Sequence, residues 1–512
     1  MLTGEASPTE SEPAGECCEA CAAARAAAYA DVPAPPPARA ASSDRGEAAV
    51  IAVAQPPFRG ALPILGQAAR PGVGIARSTD RRIAFGGLAV SAVYLALGAA
   101  SLLLPPAIRL GAWLPAHLAL AGAAATAIAS ILPFFPAALA VAPPVRPAIR
   151  IAGIALVAVG ALAVMTVYGH AAGEALPAAL AGGSFIAGIG LVAVATLAPL
   201  RGALGPRRAL VERAYALALV NVAVGAAVAT FLVSGNAAVA GAWGSLKPAH
   251  AWLNLVGFVG LVIVASLLHL APTVAGTRMR PRRSGQLAVI GVAVGAPLVA
   301  AGYALRLDLL AQAGAAAVLA GGHGVMLHAI AVARDGVPGR WMTDPGWHRL
   351  TSWALLGGQL WLATGLLMAA ARVLGAGADP AGWSLTALTG PLVVGGIAQI
   401  LVGAMTHLLP AIGPGDQVRH AAQRRLLGRA ATARLVVLNA GAALVTLGSW
   451  PAAAAVVGAA AGTFVGLGLG LAAAGIGASL GLLAVAATRR VATGGAAMTR
   501  DPASSAAGVS GA

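Results

Sequence analysis

The sequence predicts an all-α polytopic membrane protein of twelve transmembrane helices, arranged as three four-helix repeats about an axis normal to the membrane. Three observations predict it. Hydrophobic residues make up 59% of the 512 positions and charged residues 10%, with a mean hydropathy of +0.83, too apolar and too poor in charge for a soluble domain. Twelve segments reach the roughly 20 predominantly apolar residues that a bilayer crossing needs, and the basic residues alternate between their loops.

The segments begin near residues 83, 113, 149, 176, 210, 249, 286, 308, 350, 387, 433 and 456. Cytoplasmic loops retain positive charge. Loops after even-numbered helices hold 18 arginines, among them Arg146, Arg208, Arg282, Arg334 and Arg424, whereas those after odd-numbered helices hold only Arg109, Lys247, Arg306 and Arg372. This alternation supports the count of twelve and places both termini on the cytoplasmic side of the cell membrane. The net charge of +16 therefore describes membrane topology and not a nucleic-acid surface.

Internal similarity sets the grouping. Helix 2 reads "LAGAAATAIASILPFFP", helix 6 "LVGFVGLVIVASLLHLAP" and helix 10 "VGGIAQILVGAMTHLLP". Ser130 and Pro136 precede Ser266 and Pro272 by 136 residues, and Gly257, His269 and Pro272 precede Gly395, His407 and Pro410 by 138. Helices 3, 7 and 11 carry Gly160-Ala161, Gly295-Ala296 and Gly441-Ala442, each followed by an aromatic residue, Tyr168, Tyr303 or Trp450. The repeats then cover about 83–208, 209–346 and 347–490 within a membrane domain of residues 81–490. Parallel repeats surround an axis along the membrane normal, and the 67 glycines suit the close backbone approach on which helix association in lipid depends.

Residues 1–80 and 491–512 are expected to be disordered cytoplasmic tails, and no cleavable signal peptide is read at the start. The first tail contains Cys17, Cys18 and Cys21. Closely spaced thiolates suit copper(I) or zinc, although reduced cytosolic thiols are the ordinary reading. "GLGLGLAAAGIG" in helix 12 mimics a nucleotide-binding fingerprint but follows no strand, so it reads as helix packing.

Polar side chains in a span need a partner, a cavity or a metal. His250 and Asn254 begin helix 6, "HAWLNLVGFVGLVIVASLLHLAPT", and His117 begins helix 2. The twelve helices in three fours, the helix 2 histidine and this helix 6 sequence resemble the subunit I superfamily of haem-copper oxidases and its divergent relatives. Helices 6 and 10 look more specifically like the membrane half of actinobacterial proteins that continue into a multicopper oxidase or nitrite reductase domain, which is expected to be missing here. The resemblance covers about residues 83–490. It implies haem or copper as cofactor, His117 at the helix 2 haem-ligand position, His250 near the helix 6 metal-ligand position, and a redox or membrane subunit as partner.

The departures limit what is carried over. Helix 7 has no histidine pair, helix 10 opens with "GWSLTALTGPL" instead of haem-ligating histidines, and no acidic residue or lysine lies deep in a span. Proton-pumping oxygen reduction is therefore not expected, and no catalytic residue is assigned. For His117 and His250 the alternative is residence at the headgroup level beside Trp113 and Trp252. Asn254 lies one turn from His250, as a second-shell partner or an interhelical donor. Gly257, on the same face, would admit a neighbouring helix or a flat macrocycle. His323 and His328, expected to be the most buried imidazoles, flank Met326 and could line a copper path; separate hydrogen bonding is the simpler reading. His269 and His407 read as scaffold residues bonding carbonyls freed by Pro272 and Pro410. A transporter and a cofactor-free scaffold subunit are the competing functions.

Overall fold

The computed structural model describes residues 71–105, 107–135, 145–170, 173–202, 208–336, 346–413 and 416–488. Among these residues the chain is predominantly helical, without strands. Twelve helices are long and apolar enough to cross a membrane: α1 Thr79–Ser101, α2 Trp113–Ile131, α3 Pro147–His170, α4 Ala175–Gly202, α5 Ala209–Val233, α6 Trp243–Val274, α7 Arg283–Leu305, α8 Asp308–Gly336, α9 Trp347–Ala376, α10 Pro380–Ala411, α11 Ala431–Ser449 and α12 Pro451–Thr488. The protein is thus a multi-pass membrane protein. Most starts fall within a few residues of expectation. Helix structure also reaches back to Pro71, across ten residues assigned to the tail; the rest of both tails, with Cys17, Cys18 and Cys21, lies outside the described residues.

Helices α3 and α4, α7 and α8, and α11 and α12 form three tight antiparallel hairpins. Small residues make the contact. A Cβ on Gly160 would stand 2.6 Å from the Phe185 amide nitrogen of α4, one on Gly295 would stand 2.6 Å from the Gly314 carbonyl of α8, and one on Gly441 would stand 2.8 Å from the Gly468 carbonyl of α12. In lipid, where burying apolar surface between helices gains little, this interlocking of backbones supplies the dispersion energy.

Helices α2, α6 and α10 lie inside the bundle, and α6 is the most buried of the twelve. Each passes through a wider π-helical stretch, at Leu118–Ala124, Trp252–Gly260 and Thr389–Ala398. A proline stands just before or within each: Pro248 and Pro391 lack an N–H that the i→i−4 ladder would use, and Pro115 stands in the first turn of α2. One glycine of each inner helix abuts a side chain from the helix before it: Gly122 lies under Tyr94, Gly257 under Asn221, and Gly395 under Trp361. Tyr94 also donates to the Ala158 carbonyl of α3 at 2.7 Å, and Trp361 Nε1 to Asn439 Oδ1 of α11 at 2.9 Å.

Toward their C-terminal ends the three inner helices, with Leu88 of α1, line a half-open apolar cavity of about 110 Å³. Its six wall positions from α6 follow those from the α2 segment by 135 residues and precede those from α10 by 138. Ala124, Val259 and Ile397 form one level of the wall, and Phe135, Leu270 and Leu408 the last. The wall therefore sets Ile131 and not Ser130 level with Ser266, one residue away from the match read in the sequence. Pro136, used for that match, lies outside the described residues.

Carboxylates keep to the helix ends. Those of the described residues are Asp80, Glu174, Glu212, Asp308, Asp335, Asp379 and Asp416. Asp80 pairs with the buried Arg150 at 2.5 Å, and Asp335 with Arg282.

The carbonyl freed by Pro410 is that of Thr406, and it accepts from Trp347 Nε1 at 2.6 Å instead of from His407. His407 stacks on the Trp347 ring, 5.2 Å between centres. His269 is buried edge-on to Phe135 at 5.2 Å, and among the described residues neither of its ring nitrogens has a hydrogen-bond partner. The expected role of these two histidines in bonding proline-freed carbonyls is thus corrected, because aromatic contacts hold both rings.

Candidate functional site

The site grows from the N-terminal turns of α2 and α6. Leu110 and Gly111, at φ 52° and 68°, turn the chain into α2, and Arg109 clamps that turn by donating to the Leu104 and Gly111 carbonyls. One helical turn later, His117 Nδ1 lies 2.8 Å from the Trp113 carbonyl. The His117 and Trp113 rings stack 4.1 Å apart, and Tyr168 from α3 covers the other side of Trp113 at 4.0 Å. The imidazole is thereby fixed in position and rotation.

His250 enters from α6. Its Nδ1 lies 2.9 Å from the Gly225 carbonyl of α5. Asn254 Nδ2 donates to the His250 carbonyl at 2.7 Å and stands 3.1 Å from His250 Nδ1. Glycine at 225 leaves room for this approach, since a Cβ there would be 2.2 Å from Asn254 Nδ2 and displace that amide. His250 thus faces α5 and α2 inside the bundle, as its shared face with Asn254 and Gly257 implies.

The His117 and His250 rings come together, 6.4 Å between centres and 8° from parallel. A carbonyl oxygen only accepts, so Nδ1 of His117 carries the hydrogen, and Nδ1 of His250 carries it when it donates to Gly225 rather than accepting from Asn254 Nδ2. The neutral tautomer that results leaves the lone pair on Nε2, the condition a metal ion requires of an imidazole ligand, with the backbone carbonyl as outer-shell partner.

The remaining expectations divide. Trp252 is fully buried between helices, with its ring 5.7 Å from Trp383. The face of Gly257 receives Asn221 from α5, which donates to the Gly257 carbonyl at 2.9 Å, and this helix contact leaves no opening there for a macrocycle. His323 is exposed, contrary to expectation, with Nδ1 2.9 Å from the Leu319 carbonyl of its own helix. His328 is buried against Gly285 of α7. Five residues turn a helix by about 140°, so the two occupy different faces and line no common path. Among the described residues no group of three or more His, Cys, Asp or Glu could hold an ion together.

The sequence reading missed Gly225 and the contact of Tyr168 with Trp113. Nothing in the sequence distinguishes Gly225 among 67 glycines, because its contribution is a backbone carbonyl. No family model matches the chain, and no curated protein matches it.

Proposed function

We propose that the chain is a divergent member of the haem-copper oxidase subunit I-like scaffold, built as three four-helix repeats about an axis normal to the membrane, which holds one copper ion between His117 and His250 for electron transfer or for copper or nitric oxide handling. The near-parallel imidazole pair, each ring with Nδ1 engaged by a carbonyl, carries this reading. A metal–nitrogen bond of about 2.0 Å plus the radius of an imidazole puts two rings about 6 Å apart across a linear ion. The ring centres, 6.4 Å apart and stacked, are within that reach once both Nε2 atoms turn toward the shared ion. A pair of imidazoles suits copper(I), whose two-coordinate linear geometry needs no further protein ligand, and bound copper would supply one-electron chemistry.

Copper is favoured over haem because one ion needs no slot. Trp113 packs on His117, Asn254 fills the approach to Gly225, and Asn221 covers Gly257. Metal analysis of protein purified after expression with ample copper and haem tests the reading, together with a reduced-minus-oxidised absorption spectrum. About one copper per chain and no Soret band is the expected result; a Soret band would assign the site to haem. Asn254→Ala is expected to weaken copper binding about tenfold without abolishing it, as outer-shell losses do, which a chelator competition titration measures. Equal affinity in the variant would remove Asn254 from the site.

Support for the repeats comes from the spacing of the cavity walls, the three π-helical stretches and the glycines at 122, 257 and 395. A transporter is less well supported, since the carboxylates of the described residues stand near helix ends and offer no deep ion-coupling site. The topology proposed from the arginines puts both termini in the cytoplasm. In a chain whose Cys17, Cys18 and Cys21 are replaced, His170→Cys should react with an impermeant maleimide from outside the cell, and Arg282→Cys only after permeabilisation. Labelling of both from one side contradicts the topology.

A further inference from the structure

We propose that the cavity between α2, α6 and α10 is a dry binding site for one small uncharged apolar molecule, in the size range from dioxygen and nitric oxide to benzene. It shares no residue with the His117–His250 pair, so neither proposal depends on the other.

Among the described residues the wall is made of aliphatic side chains and one phenyl ring, that of Phe135, with Met405 and a single hydroxyl, that of Ser266. That hydroxyl is already engaged, since Ser266 Oγ lies 3.0 Å from the Tyr215 hydroxyl. A confined water needs about two to four hydrogen-bond partners, which this wall does not offer. At about 110 Å³ the space is nevertheless far larger than a packing defect in a close-packed interior. Apolar cavities of about 150 Å³ in other proteins stay free of water and admit xenon or benzene. A void leaves its wall atoms without dispersion partners, and an apolar guest restores those contacts without breaking a hydrogen bond. The cavity recurs in register on three helices, with alanine at 127 and 404 where bulkier side chains would close it.

Xenon is the test ligand. Crystals of the full chain pressurised with xenon should give one anomalous peak between α2, α6 and α10. Ala404→Leu should lower its occupancy by about fivefold or more, and Ile131→Ala, which enlarges the space, should raise it and admit iodobenzene. An empty cavity under xenon pressure, ordered water in it, or an acyl chain threaded into it would overturn the proposal. The wild-type result decides by itself if a variant fails to fold.

Discussion

Replacing His117 or His250 with Ala is expected to reduce copper retained through purification from about one ion per chain to background, with little change in folded yield. Each ring contributes one of two nitrogens, and a single imidazole cannot hold copper against a competing chelator. The fold loses little with either ring: a hydrogen bond to a backbone carbonyl, worth about 1 kcal/mol, and at His117 the stack on Trp113. Loss of copper with folded protein retained is therefore the signature of ligands. Copper retained at wild-type level in the double variant would contradict the assignment, and variants that lose copper only together with folding would reduce the two histidines to structural residues.

Gly295→Leu is expected to have the largest effect on stability of any single substitution considered, destroying most folded protein. Its Cβ would stand 2.6 Å from the Gly314 carbonyl and 2.7 Å from the Val318 amide nitrogen, so backbone and not a movable side chain must yield. Gly291, in the same seam, meets Gly321 at 2.6 Å. Overpacking of this kind costs about 3 kcal/mol or more, a large fraction of the stability of a typical domain. The neighbouring Val294 is 48% exposed, and Val294→Leu should be neutral. Monodisperse yield in detergent, compared at equal expression, measures both. Equal yields for Gly295→Leu and Val294→Leu would show that α7 and α8 do not interlock through these glycines.

The helices were legible because bilayer crossing imposes length and hydropathy on every span, and Arg146, Arg208 and Arg282 mark the loops independently. His117 and His250 were legible as a pair because imidazoles near the starts of two inner helices stand out in a chain with nine histidines. Their partners were not. Gly225 acts through its carbonyl, and Tyr168 acts through a stack on Trp113 whose rotation no spacing specifies. The match of Ser130 to Ser266 failed by one residue because serine and proline identity is a weak guide where packing against the other inner helices decides which side faces the cavity. His323 was misplaced for a related reason. Distance from a helix end measures depth in the membrane but not the direction a residue faces, and α8 is too uniformly apolar to mark its buried side.

X-ray absorption spectroscopy of the copper-loaded full chain decides whether His117 and His250 hold one metal ion, because the scattering atoms identify the ligands. One copper(I) per chain with two imidazole nitrogens at about 1.9–2.1 Å and no sulfur is expected, with a spectrum unchanged when Cys17, Cys18 and Cys21 are replaced by Ser. Sulfur scattering that disappears with those cysteines, or a wild-type protein that takes up no copper, would contradict it.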